Sequence, residues 1–162
     1  GDWVMTPSVE GTVEDISFRS TKIRTFSQAI VTVPNATLAN EPITNWSKMG
    51  KRQIKFTIRV TYDNPASKIK HIVQRIEQLL KSNPDIHPET ILVSADTYQE
   101  DGIDIFLYFF TKTTDWEAYL NIRQQINLDI LEIIDDEEVT IAIPSRRLLM
   151  DDKEFESLKD KR

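Results

Sequence analysis

The chain predicts an α+β protein in which a small β domain runs directly into a βαββαβ module. Three observations carry this. Before residue 64 the apolar positions form only short or strictly alternating runs, with no helical period. After residue 64 two long stretches carry apolar residues at helical spacing. Short apolar runs bounded by turn residues flank them, so residues 54–143 read strand, helix, strand, strand, helix, strand, the split-βαβ or ferredoxin-like order.

The elements follow in chain order. Val13, Ile16 and Phe18 lie in a polar segment opened by Gly11 and read as strand. Ile30-Val31-Thr32-Val33 is β-branched, and Pro34-Asn35 stops it as a turn signal, with Asn tolerating a left-handed conformation there. Ile54, Phe56, Ile58 and Val60 alternate with Lys55, Thr57, Arg59 and Thr61, which sets one apolar and one polar face. Short strands and polar turns of this kind suggest a small barrel or open sandwich. Asn64 before Pro65 suits an N-cap with Pro at the first helical position. Ile69, Ile72, Val73, Ile76, Leu79 and Leu80 follow on one helical face, and Asn83-Pro84 ends it. His71 then points to water, and His87 falls in a loop before Pro88.

Residues 90–95 read as a strand with Ile91, Val93 and Ala95 on one face. Gln99-Glu100-Asp101-Gly102 is a turn. Residues 103–110 make a strand that is apolar on both faces from Ile105 onward, which requires a cover on each side, either from its own sheet layers or from another chain. Thr114-Asp115-Trp116-Glu117 matches a capping box with Thr114 as the cap. Tyr119, Ile122, Ile126, Ile130 and Ile133 form the next helical face. Asp135-Asp136-Glu137-Glu138 opposes the dipole of a helix C-terminus, so it reads as a loop beyond the helix, with an ionic partner or a bound cation as the alternatives. Val139, Ile141 and Ile143 supply the last strand, stopped by Pro144. The expected division is a β domain over 1–60, an α+β domain over 61–145, and a C-terminal strand and charged tail over 146–162.

Composition excludes much chemistry. The 162 residues include no Cys, two His and four Gly. There is no thiolate site or Cys nucleophile, and neither phosphate-cradling glycine pattern occurs. No nucleophile–base set is visible, so no catalytic residue, cofactor or metal site is assigned. No run of 18 or more apolar residues is present. The net charge is −6, yet residues 19–70 carry +8 and the remainder −14. A basic surface facing anions, a solvated strand face, and complementarity between neighbouring subunits all fit that asymmetry.

Several ordered motifs resemble one family. Gly1-Asp2-Trp3-Val4, Gly11-Thr12-Val13-Glu14-Asp15-Ile16, Arg19-Ser20-Thr21-Lys22-Ile23-Arg24-Thr25, Val33-Pro34-Asn35 and Ile43-Thr44-Asn45-Trp46-Ser47 are similar, in order and spacing, to the cytoplasmic part of the mechanosensitive channels of small conductance. Phe56-x-Ile58-x-Val60-x-Tyr62-Asp63 fits that family's strand into the lower domain. The resemblance is specific over residues 1–63 and rests on element order beyond them.

What the resemblance implies is an Sm-like β domain above the ferredoxin-like domain. It implies homo-oligomers, commonly heptamers, in the inner membrane, whose cytoplasmic parts form a hollow cage with side portals. Ions and small osmolytes would pass, the pore helices would lie N-terminal to this chain, and nucleic acid would not be a partner. Residues 145–150 would stand where a bottom barrel strand forms. Gly11, Arg19, Thr21, Arg24, Thr25, Pro34, Asn35, Asn45, Trp46 and Ser47 are the motif residues, more architectural than chemical. Arg19, Lys22 and Arg24 would either pair with acids such as Glu14 or Asp15 of the next copy or face an inner wall. Lys48, Lys51, Arg52 and Lys55 would line a portal or vestibule, or else form a solvated hairpin tip. Phe106, Tyr108 and Phe110 would lie at a subunit interface. The rival readings from the same modules are an RNA-binding domain, opposed by the acidic charge and the absence of an RNP pattern, and a small-ligand regulatory domain.

Overall fold

A computed structural model describes residues 1–143. The expected strand at 145–150 and the tail over 151–162 lie outside the described residues. The chain's described residues divide into two compact units, one of residues 1–52 and 112–119, the other of residues 53–111 and 120–143.

The first unit is a five-stranded sheet, β4-β3-β2-β1-β5, formed by β1 (Trp3–Met5), β2 (Glu10–Ile16), β3 (Ser20–Arg24), β4 (Ile30–Pro34) and β5 (Thr44–Asn45). Every neighbouring pair is antiparallel. Val4, Val9, Ile23 and Val33 form its buried core, with Val13, Val31 and Leu38 packed against them. The inward positions of β4 are Val31 and Val33, as their alternation requires. Gly11 sits opposite Val4, and a Cβ there would lie 2.2 Å from the carbonyl oxygen of Arg24. This glycine is set by close approach of two strands, not by a positive φ.

The β2–β3 pair carries a bulge between Val13 and Asp15. The extra residue, Glu14, shifts the register so that Asp15 faces Lys22. Ile16 and Phe18 do not join the core. Phe18 occupies the β2–β3 turn and is 97% exposed, because the turn needs its backbone and leaves its ring in water. Pro34-Asn35 is likewise no tight turn. It ends β4 and opens a short helix, α1 (Asn35–Asn40), with Asn35 at a negative φ.

The second unit joins β6 (Arg52–Val60), α2 (Ala66–Ser82), β7 (Ile86–Tyr98), β8 (Ile103–Thr111) and α3 (Trp116–Asp136), with Arg52 and the first turn of α3 belonging to the first unit. Its sheet order is β6-β8-β7. The last strand is reduced to one antiparallel bridge, Val60 to Ile141, with Thr61 N–H donating to Thr140 at 3.0 Å and Ala142 N–H to Arg59 at 2.8 Å. A side chain also holds Thr140. Asn64 Oδ1 accepts from Thr140 N–H at 3.0 Å, and Asn64 Nδ2 donates to the Thr140 carbonyl at 2.9 Å. Asn64 therefore ties the chain after α3 to the end of β6 instead of capping α2, where Pro65 holds the N-cap position with no side-chain bond. The cap of α3 is also displaced by one residue: Asp115 Oδ1, not Thr114, accepts from Ala118 N–H at 2.8 Å.

Side chains of β8 alternate. Ile105, Leu107 and Phe109 are fully buried. Val93, across from Leu107, shares a groove with Ile69 and Val73 of α2, so α2 lies over this face. Phe106, Tyr108 and Phe110 point the other way and are half-buried. β7 is longer than its apolar core, so His87 is a strand residue and not a loop one.

Gly11→Val should cost about 3 kcal/mol or more in a urea unfolding experiment, because a backbone carbonyl cannot yield as a flexible side chain does. A loss of under about 0.5 kcal/mol, the size of an ordinary surface change, would refute the close-packed β2–β3 pairing.

Candidate functional site

The motif residues of the first unit converge on two locks. In the first, Thr21 Oγ1 donates to Asn35 Oδ1 at 2.8 Å, while Asn35 Nδ2 donates to the carbonyls of Ser17 at 2.9 Å and Phe18 at 3.3 Å. Asn35 N–H donates to the Arg19 carbonyl at 3.0 Å. One amide thus holds the whole β2–β3 turn against the start of α1, directly after Pro34. In the second lock, Asn45 Oδ1 accepts from Ser47 N–H at 3.0 Å and Asn45 Nδ2 donates to Asp2 at 2.7 Å. Ser47 Oγ accepts from Trp3 N–H at 2.8 Å, and the rings of Trp3 and Trp46 lie 5.9 Å apart. Asn45, Trp46 and Ser47 thereby fasten the edge strand β5 and the turn after it to β1.

The bases of β3 have intrachain partners. Arg24 pairs with Glu14 and donates to the Gln28 carbonyl at 3.1 Å, and Lys22 lies 4.0 Å from Asp15. The same acids that could serve a neighbouring copy are thus engaged across the hairpin. Gln28 is left-handed, φ 68°, in the β3–β4 turn, where Thr25 N–H donates to Ala29 at 2.9 Å and Thr25 Oγ1 lies 2.9 Å from Ser27 Oγ.

The four expected portal bases have different surroundings. Lys48 ends a single 3₁₀ turn, Trp46–Lys48, and is exposed, and Lys51 is half-buried. Arg52 is packed among rings, its guanidinium carbon 5.2 Å from the Trp3 centroid, 4.9 Å from Trp116 and 5.2 Å from Tyr119. Lys55 belongs to the second unit, exposed on the sheet, 5.9 Å from the Phe106 ring.

The aromatic face of β8 is continuous. Phe106 and Tyr108 stack at 6.2 Å, and Tyr108 meets Phe110 edge-on at 5.3 Å. Leu92, opposite Tyr108 on β7, is 52% exposed. At one end of this face Arg59 forms a fork with Asp104, Nε at 2.7 Å and Nη2 at 3.2 Å, and reaches Asp101 at 3.0 Å. The Arg59 hydrogen bonds hold the Asp104 carboxyl below the usual carboxylate range. Neither Arg59 nor Asp104 stands out in the sequence, because their pairing spans 45 positions.

The acidic run straddles the helix end, with Asp135 and Asp136 in the last turn and Glu137 and Glu138 beyond it, and it has partners. α3 continues to Asp136, and Glu138, φ 52°, closes it with Val139 N–H on the Ile134 carbonyl and Glu138 N–H on that of Asp135, both at 3.0 Å. Three bases of α2 offset the unfavourable dipole: Arg75 reaches Glu137 at 2.7 Å and Asp136 at 3.3 Å, His71 Nδ1 lies 2.9 Å from Glu137, and Lys68 lies 3.9 Å from Glu138. Arg75, then His71, draws the Glu137 carboxyl below its ordinary value. Among the described residues no cluster of three or more His, Cys, Asp or Glu can hold a metal, and no helix is long and apolar enough to cross a membrane.

Comparison with known proteins matches the chain to two family models. Residues 1–48 match the family model for the mechanosensitive ion channel β-domain, and residues 54–141 that for the mechanosensitive ion channel MscS C-terminal region. The MscS family protein YhdY of Bacillus subtilis is 44% identical over 94% of this chain and 41% of its own length. The low conductance mechanosensitive channel YnaI of Escherichia coli is 36% identical over 93% of this chain and 45% of its own. The chain therefore spans under half the length of these relatives. Among solved structures, Arabidopsis thaliana MSL1 is similar with a TM-score of 0.82 at 22% identity, over 89% of this chain and 52% of that one. Helicobacter pylori MscS in a closed state gives 0.75 at 17%, over 94% and 58%. At these identities the structures speak for the fold.

Asp104 and Glu137 have folded pKa values below their unfolded ones, so the stabilisation they bring is complete above the unfolded values near ~4 and is lost as pH falls through the folded values. Urea midpoints should stay level from about pH 7 to 5 and drop below about pH 4. Arg75→Met should lower the neutral-pH midpoint and flatten that acid branch. An unchanged acid branch would refute the Glu137 contact.

Proposed function

Because the chain belongs to the MscS family of mechanosensitive ion channels, we propose that it is the cytoplasmic cage portion of a tension-gated channel. In this reading copies of the chain, commonly seven, surround a water-filled vestibule beneath pore helices that lie N-terminal to it. Bilayer tension opens those helices, and ions and small osmolytes leave the cell on hypoosmotic shock through portals in the cage. The chain does no bond chemistry. It assembles, admits water and filters by charge.

The observation that carries the reading, beyond family membership, is the aromatic face of β8. A central strand with Phe106, Tyr108 and Phe110 half in water asks for a second cover, and a neighbouring copy supplies one. Gly11, Arg19, Thr21, Arg24, Thr25, Pro34, Asn35, Asn45, Trp46 and Ser47 serve as architecture that keeps the β domain rigid beneath the pore. Lys48 and Lys55, exposed cations, fit a portal or vestibule lining better than Arg52, whose charge is held by rings. The division into a β domain, an α+β domain and a C-terminal segment follows the same plan.

The test is conductance in patches of bacterial membrane expressing the full-length protein in a strain without its own tension-gated channels. Suction should open discrete currents, and survival of osmotic downshock should rise. Lys48→Glu with Lys55→Glu should shift the reversal potential toward cations at low salt, with the shift fading as the Debye length falls to about 8 Å at physiological salt. Membranes that contain the protein and stay silent up to lytic suction would overturn the proposal.

A further inference from the structure

Apart from the channel reading, the first unit holds a cavity of about 590 Å³ walled by Trp3, Phe26 and Trp116, with Glu10, Asp115 and Arg52 also lining it. Trp3 and Phe26 meet with centroids 5.5 Å apart and planes at 83°, so they make two perpendicular walls. Trp3 Nε1 donates to Glu10 Oε1 at 3.1 Å. That bond places a carboxylate on the positive edge of the indole and leaves its negative face for a cation. These rings already accept one positive charge, since Arg52 lies about 5 Å from Trp3 and Trp116.

More aromatic surface is offered than Arg52 uses. Phe26 is 71% exposed, and Trp116, although stacked on Tyr119 at 5.5 Å as well as on Arg52, is still 55% exposed, both on this cavity. Two carboxylates, Glu10 and Asp115, stand against one guanidinium, so the lining carries a net negative charge. Perpendicular rings, a carboxylate-polarised indole and surplus negative charge are the parts of an ammonium cage. A neutral apolar ligand would gain nothing from the carboxylates, and an anion would meet both of them.

We propose that this cavity binds a small organic cation, an alkylated or quaternary ammonium. Phe26 and Trp116 close on its methyl groups, and Glu10 and Asp115 balance its charge beside the stacked Arg52.

The test uses choline and its uncharged isostere 3,3-dimethylbutan-1-ol, titrated against the 162-residue chain at constant ionic strength, read by tryptophan fluorescence and ligand-observed NMR. Choline should saturate at millimolar concentration and bind at least ~10-fold more tightly than the isostere, because only the cation gains from the ring faces. Phe26→Ala, at an exposed turn position, should weaken choline about 5-fold while the chain still unfolds in one cooperative transition, its midpoint lowered only by the lost Trp3 contact. Glu10→Gln should shrink the preference for choline over the isostere. Absence of saturation by choline, equal binding of the isostere, or choline binding indifferent to Phe26→Ala would each overturn the proposal.

Discussion

A central strand with two apolar faces and helices to cover one of them is the constraint on which the second unit depends. Ile105, Leu107 and Phe109 commit one face of β8 to the interior, alongside the buried Ile72, Ile76 and Leu80 of α2 and Ile126 and Ile130 of α3. Burial of side chains this size is worth roughly 1.5–3 kcal/mol each, which fixes the register of the strand, since a slip of one residue would exchange its faces. The other face then has to carry Phe106, Tyr108 and Phe110. Stacking among the rings recovers part of their exposure. The Arg59–Asp104 fork ties β6 to β8 on the same side. What remains half in water is the surface assigned above to a neighbouring copy.

The first unit solves a different problem. Its core is small, Val4, Val9, Ile23 and Val33 with three partly buried neighbours, and apolar burial alone gives it little rigidity. Polar locks compensate. The side chains of Thr21, Asn35, Asn45 and Ser47 have their partners, while the buried indole N–H of Trp46 has none, so the short ordered motifs are turns and edges held mainly by hydrogen bonds. Such residues recur at fixed spacing because the geometry, not a reaction, demands them.

Much of this was legible in the sequence. The alternation of residues 54–60 and 103–110 and the spacings of both long helices identify the split-βαβ module, and the ordered motifs identify the family. What escaped is long-range or competitive. Asn64 before Pro65 has the chemistry of a cap, but the backbone of Thr140, 76 positions away, won its side chain. Thr114 and Asp115 both suit the start of α3, and the carboxylate took the site. The acidic run at 135–138 reads as a loop until Lys68, His71 and Arg75 are seen beside it, and a turn of helix with its partners is more stable than an acidic end without them. Arg52 counts as one more base in a basic stretch. Only the fold reveals that Trp3, Trp116 and Tyr119 surround it.

On the proposed reading, the open face of β8 is an interface between copies in the assembled channel. The chain has no native Cys, so a single cysteine at Leu92 reports that face directly. Its rate of maleimide labelling is measured in the 162-residue chain held monomeric by dilution and in the full-length protein purified as its oligomer. Rapid labelling in the monomer and at least ~10-fold protection in the oligomer are expected, since a packed interface excludes the reagent. Equal rates in the two states would contradict it.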